Sequence, residues 1–226
     1  MGELGVVLLV PVLFGVAFVV VVVLVARSRA RGRARRGGDL LAWGAARGWT
    51  LSPHDPEAPH LPCPPMEAGG SAHLVARGPA PDGAPTLVVE WSRWEHTSGP
   101  DVGDSHQQEI RSVVAASPLP GSPPGTAEIV AASVLRRGAA RRARRSSLGT
   151  GHRAFDARYL LRTDDPRGAA VVPPALVAWL GDLPHDPDLG LRLAEGRLVC
   201  WGPGRLTTPR LEDLLAFSCA VRAHWW

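Results

Sequence analysis

At 226 residues and 24.0 kDa, the chain has room for one ordinary domain with a sizeable core once an anchor and a linker are set aside. Every basic residue is arginine, which excludes the P-loop lysine, the ATP-pairing lysine of kinases and any Schiff-base lysine. The net charge of +4 is local: six arginines fall between Arg27 and Arg36 and six between Arg136 and Arg145, so the other 13 face 21 acidic residues, a balance that argues against nucleic acid as a partner.

Gly5 to Val25 is an uncharged, apolar run of 21 residues. As a helix it rises about 1.5 Å per residue and covers a hydrocarbon core of roughly 30 Å. A cleaved signal peptide needs a basic start, a shorter apolar core and a small-residue cleavage site; here Glu3 precedes the run and Ala26-Arg27-Ser28-Arg29 follows it. The expectation is an uncleaved anchor over residues 1–26 and a basic juxtamembrane segment over 27–38. Positive charge after the span places the N-terminus outside and the remainder in the cytoplasm of a single-pass protein of the cell membrane. Arg27, Arg29, Arg31, Arg33, Arg35 and Arg36 are candidate contacts for anionic lipid headgroups, each contributing on the order of 1 kcal/mol near the surface.

Next, Asp39 to Trp49 reads as a short helix stopped by Gly48, with Trp43 and Trp49 suited to the headgroup level. Ser52 to Gly70 is rich in proline and glycine and reads as an irregular linker or extended cover, so residues 39–71 form a connecting region ahead of an α+β domain over 72–226. Strand-like runs follow at His73–Arg77, Pro85–Trp94, Glu109–Ala116 and Ala127–Ser133. Phe155, Ala157, Tyr159 and Leu161 alternate with Asp156, Arg158 and Leu160, which predicts a strand ending at the turn Thr163-Asp164-Asp165-Pro166. Pro173 and Pro174 open a helix that Gly181 is expected to close.

Leu189, Leu191 and Leu193 then run toward Glu195-Gly196, and Arg197 to Trp201 return, which predicts a β-hairpin. The last helix is expected to take Thr208 as N-cap and Pro209 at its first position, with Leu211, Leu214, Leu215 and Cys219 as its core-facing stripe. The fold class expected is therefore α+β: a transmembrane helix, then an antiparallel sheet covered by a C-terminal helix. Cys63, Cys200 and Cys219 are an odd number at wide spacing, which fits neither a disulfide framework nor a zinc site and suits a reducing compartment. Cys200 and Cys219 read as core packing.

Candidate chemistry is sparse. His54, Asp55, His60 and Cys63 are metal-ligand types close in sequence, but their spacing matches no usual zinc pattern, and Cys63 lies among prolines without a predicted helix N-terminus to activate it. Asp101, Asp104 and His106 cluster in a glycine-containing loop. Gly103-Asp104-Ser105 there is similar to the nucleophile block of one esterase family, which places it after an N-terminal strand and supplies a late Asp-x-x-His, both lacking here. No G-x-S-x-G elbow occurs. Arg137, Arg141, Arg144 and Arg145 share one face if their segment is helical and suit phosphate-bearing partners such as anionic lipid, although a solvated connection between strands explains them as well. Few aromatics interleave them, so single-stranded bases are poorly served. Ser146 and Ser147 follow two arginines, a context basic-directed kinases favour, and a phosphate there would partly cancel the run's charge.

Three stretches taken together, Trp43 with Arg47-Gly48-Trp49, Phe155 to Pro166, and Leu198 to Leu206, resemble a family of uncharacterised actinobacterial single-pass membrane proteins that carry a domain of unknown function. The resemblance follows the overall order of the chain and is clearest in the C-terminal third; the proline-rich stretch around Cys63 and the second arginine run depart from it. It implies architecture and location and gives no residue a role. The reading is of a membrane-tethered cytoplasmic domain, non-enzymatic, with no cofactor, catalytic or metal site assigned, that binds a protein partner or the inner leaflet. The alternative is a membrane-anchored hydrolase using the Asp101–His106 loop.

Overall fold

The computed structural model describes residues 37–53, 55, 58–98, 105–119, 121, 125–132, 147–165, 167–184 and 188–225. The predicted anchor and both arginine runs lie outside them. Among the described residues no helix is long and apolar enough to cross a membrane. The chain divides into two units, Met1–Trp43 and Gly44–Trp226. In the first, residues 37–43 are helical. The helix continues to residue 47, and Gly48, at φ +71°, follows it. Trp43 and Trp49 are both buried. Trp49 lies so close over Gly78 that a Cβ there would come within 2.4 Å of its ring, and its Nε1 donates to the carbonyl of Pro79 at 3.0 Å.

The second unit is built on one eight-stranded sheet: β1 (Thr50–Ser52), β2 (Ser71–Pro79), β3 (Pro85–Ser98), β4 (Ser105–Pro118), β5 (Ala127–Ala131), β6 (Tyr159–Thr163), β7 (Gly190–Ala194) and β8 (Arg197–Pro203). Its order is β1-β2-β3-β4-β8-β7-β5-β6 and every neighbouring pair is antiparallel. The alternation of side chains gives each strand two faces. Val113, Ala115 and Ser117 share one face with Cys200, and the C-terminal helix (Thr208–Ala223) lies across it through Leu211, Leu214, Ser218 and Val221. The opposite face presents Leu87, Val89, Trp91, Val114, Val199 and Trp201, and its cover is Ala58, Leu61, Cys63 and Met66. The proline-rich Ser52–Gly70 stretch is therefore a true cover: proline denies it a ladder, yet its few apolar side chains enter the core.

The antiparallel sheet and C-terminal helix agree with the expected α+β class. The β7–β8 hairpin also forms, with Glu195 at φ 52° and Gly196 at φ 74°, the paired left-handed residues that a tight two-residue turn requires. Other expectations are corrected. Phe155 to Arg158 is helical (Arg153–Arg158), and the strand begins only at Tyr159. Phe155 and Tyr159, four residues apart, stack at 5.2 Å; a spacing of four fits a helical period as well as an alternating one. The N-cap of the last helix is Thr207 rather than Thr208, its side chain accepting from the Arg210 amide. Gly181 does not end its helix (Pro174–Asp182) but sits inside it, because the His152 ring packs where a Cβ would stand. Cys200 is fully buried as expected, whereas Cys219 is only half-buried at the helix flank.

Candidate functional site

β3 and β4 are each 14 residues long, much longer than their other partners need. β2 stops following β3 at Ser71 opposite Ser92, and β8 stops following β4 at Pro203 opposite Ser112. Beyond those points residues 93–98 and 105–111 pair with each other as a two-stranded ribbon, and among the described residues no third strand joins it. Near these ends β2 has an irregularity at His73, and β8 gives way to Gly204, at φ 106°, whose amide makes the last bond to β4 at the Arg111 carbonyl, 2.9 Å. Trp94, on this ribbon, is 64% exposed, while Arg93 and Glu95 beside it neutralise one another.

A polar cluster lies at the root of the ribbon. Arg111 Nη1 donates to Glu90 Oε1 at 2.5 Å and its Nη2 to Glu109 Oε1 at 2.7 Å. The second oxygen of Glu90 accepts from the backbone amide of Leu206, which ties the root to the loop ahead of the C-terminal helix. His73 Nε2 lies 2.5 Å from Ser92 Oγ and 3.8 Å from Glu109 Oε1. The Arg111 guanidinium beside Glu109 holds its carboxyl below the usual carboxylate range.

Serine, histidine and glutamate together suggest a nucleophile, but the geometry does not make one. A triad needs the carboxylate on the imidazole nitrogen that does not face the serine; here the same Nε2 faces both Ser92 and Glu109. Ser92 is 4% exposed. The cluster fastens three strands together and has no open position for a reacting group. No run of sequence signals it, since its members come from three strands; the one available hint is that Glu90 and Ser92 interrupt an apolar strand at the same alternation as Glu109 and Arg111 in the next.

The residues singled out from the sequence are dispersed. Arg27, Arg29, Arg31, Arg33, Arg35, Arg36, Arg137, Arg141, Arg144, Arg145, His54, Asp101, Asp104 and Ser146 lie outside the described residues. His106 takes part in β4 opposite Thr97. Asp55 is bound in a two-point ion pair to Arg77, at 2.5 and 2.8 Å, and His60 is exposed on a 3-10 turn. Among the described residues no group of metal-ligand side chains converges. Cys63, contrary to expectation, is the N-cap of a four-residue helix (Pro64–Glu67), but burial pushes its thiol up to about 12 and outweighs the backbone bond from Met66. It is a core residue. The Ser147 hydroxyl accepts from the Leu161 amide at 3.0 Å and so covers part of the outer edge of β6.

Two further clusters are structural. Arg192 joins Glu128 on β5 to Glu67 on the cover. Arg222, 8% exposed on the C-terminal helix, donates to both oxygens of Asp82 in the β2–β3 turn, at 2.6 and 2.8 Å, and to the hydroxyls of Ser117 and Ser218. A shallow groove of about 630 Å³ crosses the sheet end between Arg77, Leu87, Ala116 and Arg197. Its prolines and exposed rim hold no paired base and nucleophile.

No protein-family model matches the chain, and no curated protein does. Among solved structures it is similar to the mycobacterial trehalose monomycolate transport factor A, TtfA, at 10% sequence identity and a TM-score of 0.57, over 83% of this chain and 93% of that one. At that identity the likeness is one of fold.

Proposed function

We propose that this chain is a non-enzymatic binding domain tethered to the cell membrane, which holds a protein partner at the inner leaflet through the β3–β4 ribbon. The carrying observation is the ribbon itself: a 14-residue strand pair that outruns its neighbours and exposes Trp94. A large aromatic held on a two-stranded support is the kind of anchor that binding interfaces use. The chain enters the sheet at Thr50, level with Leu87, and the ribbon leaves it beyond Ser92. At about 3.4 Å per residue, Ser98 is roughly 37 Å from Leu87 along the strand, so the tip of the ribbon stands well away from the point where the chain enters the sheet.

The tether is the apolar run Gly5–Val25, with its orientation set by the six arginines that follow it. Those arginines, and Arg137, Arg141, Arg144 and Arg145, hold anionic headgroups by charge. The resemblance to actinobacterial single-pass membrane proteins belongs to the same reading, and a fold shared with a protein named a transport factor suits an accessory binding role.

The test places a photo-crosslinking amino acid at position 94, and in a second strain at Arg162 on the outermost strand β6, in the full chain in its native cells. A discrete adduct at 94 and none at 162 is expected. Adducts at both positions alike, or at neither, would count against the ribbon as the binding element. A cytoplasm-active reporter fused after Trp226 should work and a periplasm-active one should be silent; the reverse would overturn the orientation.

A further inference from the structure

On the ribbon the strand register fixes which side chains share a face. Trp94 stands opposite Glu109, Ser92 opposite Arg111 and Glu90 opposite Val113. Directly opposed residues of an antiparallel pair point to the same side, with their Cβ atoms about 4.5–5.5 Å apart. Trp94, Glu109, Arg111 and Glu90 therefore line one face, the one that carries the C-terminal helix farther along the sheet. Arg93 and Glu95 lie on the other face and neutralise one another there. Among the described residues Trp94 is the most exposed large apolar side chain.

The charges on its face are ordered outward. Glu90 is innermost, Arg111 comes next and Glu109 is outermost, with side chains 10%, 22% and 25% exposed. Arg111 bonds both carboxylates, at 2.5 and 2.7 Å, so these three groups carry one negative charge in excess, and the guanidinium lies between the two acids. The bond from Arg111 also holds the Glu109 carboxyl below the usual carboxylate range, which keeps it ionised near neutral pH. An approaching side chain thus meets an indole and, in register beside it, a carboxylate.

We propose that this face of the ribbon is a seat for an arginine side chain of the protein partner, its guanidinium lying on the Trp94 indole and donating to Glu109. Arginine suits both halves of the seat. Its plane stacks on an aromatic face, where the ring quadrupole attracts a cation, while the N–H groups in that plane remain available to a carboxylate at its edge. An ammonium is a compact, strongly hydrated point charge and gains less from a flat surface. The seat rests on the reading of the ribbon as the binding element, and it names what that element recognises: an exposed basic segment.

The probe is a fluorescent peptide, acetyl-Gly-Arg-Val-Arg-Val-Arg-Gly, and the measurement is its anisotropy with the full chain in nanodiscs of uncharged phosphatidylcholine at low salt. A citrulline version keeps the planar shape without the charge, and a lysine version keeps the charge without the plane; both are expected to bind more weakly. An exposed cation–π contact and an exposed ion pair set the scale, so Trp94→Leu and Glu109→Gln are each expected to weaken binding about two- to fivefold. Trp94→Phe should lose less than Trp94→Leu. Glu109→Gln keeps an acceptor for Arg111, and Asp213→Asn, at an exposed position of the C-terminal helix, removes the same charge elsewhere and is expected to change nothing. Equal binding of the citrulline or lysine peptide, wild-type binding by Trp94→Leu, or a loss no larger for Glu109→Gln than for Asp213→Asn would overturn the seat. Such a failure leaves an adduct at position 94 in cells untouched, and a missing adduct leaves the peptide result untouched, so the two readings fail separately.

Discussion

Asp82 and Arg222 form an ion pair whose two halves are unequally exposed, and this makes the two single substitutions differ. The Arg222 side chain is 9% exposed and the Asp82 side chain 36%. Asp82→Ala leaves a buried guanidinium with only the hydroxyls of Ser117 and Ser218 and the sulfur of Cys219, close to the situation in which removal of one partner costs about 3 kcal/mol. Arg222→Met removes the buried charge, retains an apolar side chain of similar length against the sheet, and leaves Asp82 free to hydrate, for a cost of about 1 kcal/mol. The double variant should match Arg222→Met alone. For a chain of this size these values correspond to a fall in melting temperature of roughly 6–12 °C for Asp82→Ala and roughly 2–4 °C for Arg222→Met, read by tryptophan fluorescence on the full chain in detergent. The pH dependence follows with a definite sign. The bond from Arg222 holds the Asp82 carboxyl below its ordinary value of 3.8, so the pair's contribution is complete above that value and is lost as pH falls through the folded one. Arg222→Met should therefore flatten part of the acid limb of the stability profile. If Arg222→Met proves as destabilising as Asp82→Ala, the argument from unequal exposure is wrong.

Gly190→Ala sets a Cβ within 2.4 Å of the Trp201 ring and should cost about 1–3 kcal/mol through overpacking, visible as a lower melting temperature; an unchanged melt would mean that the ring is not held against the strand. Thr207→Ala removes the side-chain acceptor of the Arg210 amide and should cost about 1 kcal/mol, whereas Thr208→Ala should be milder. The opposite ranking would restore Thr208 as the cap.

Regular features were readable from the sequence where local chemistry alone decides them. The β7–β8 hairpin is specified by alternating leucines and by the Glu195-Gly196 turn, and the C-terminal helix by a cap, an early proline and a leucine stripe. Ambiguity arose where one pattern serves two periods, as in Phe155 to Leu161, and where two threonines stand side by side at a cap. The cover over Ala58 to Met66 was legible only as one of two readings, linker or cover, because proline content announces irregular backbone and says nothing about where the occasional leucine or methionine goes. The polar root of the ribbon was least legible, since Glu90, Glu109, Arg111 and His73 meet only once the strand register is known. The length of β3 and β4 was underestimated for a related reason: apolar alternation marks the part of a strand that is buried, and the ribbon is the part that is not.

The strand order also constrains how the protein is made. β1 to β4 are neighbours in sequence order, and β5 to β8 complete the other half, so the two halves meet along the single seam between β4 and β8. Ala116 pairs with Val199, about eighty residues later. At synthesis rates of about 5–20 residues per second, the β4 edge of a nascent chain waits roughly 4–16 seconds for its partner. During that interval the first half presents an open, largely apolar edge, the kind that invites another chain to pair with it.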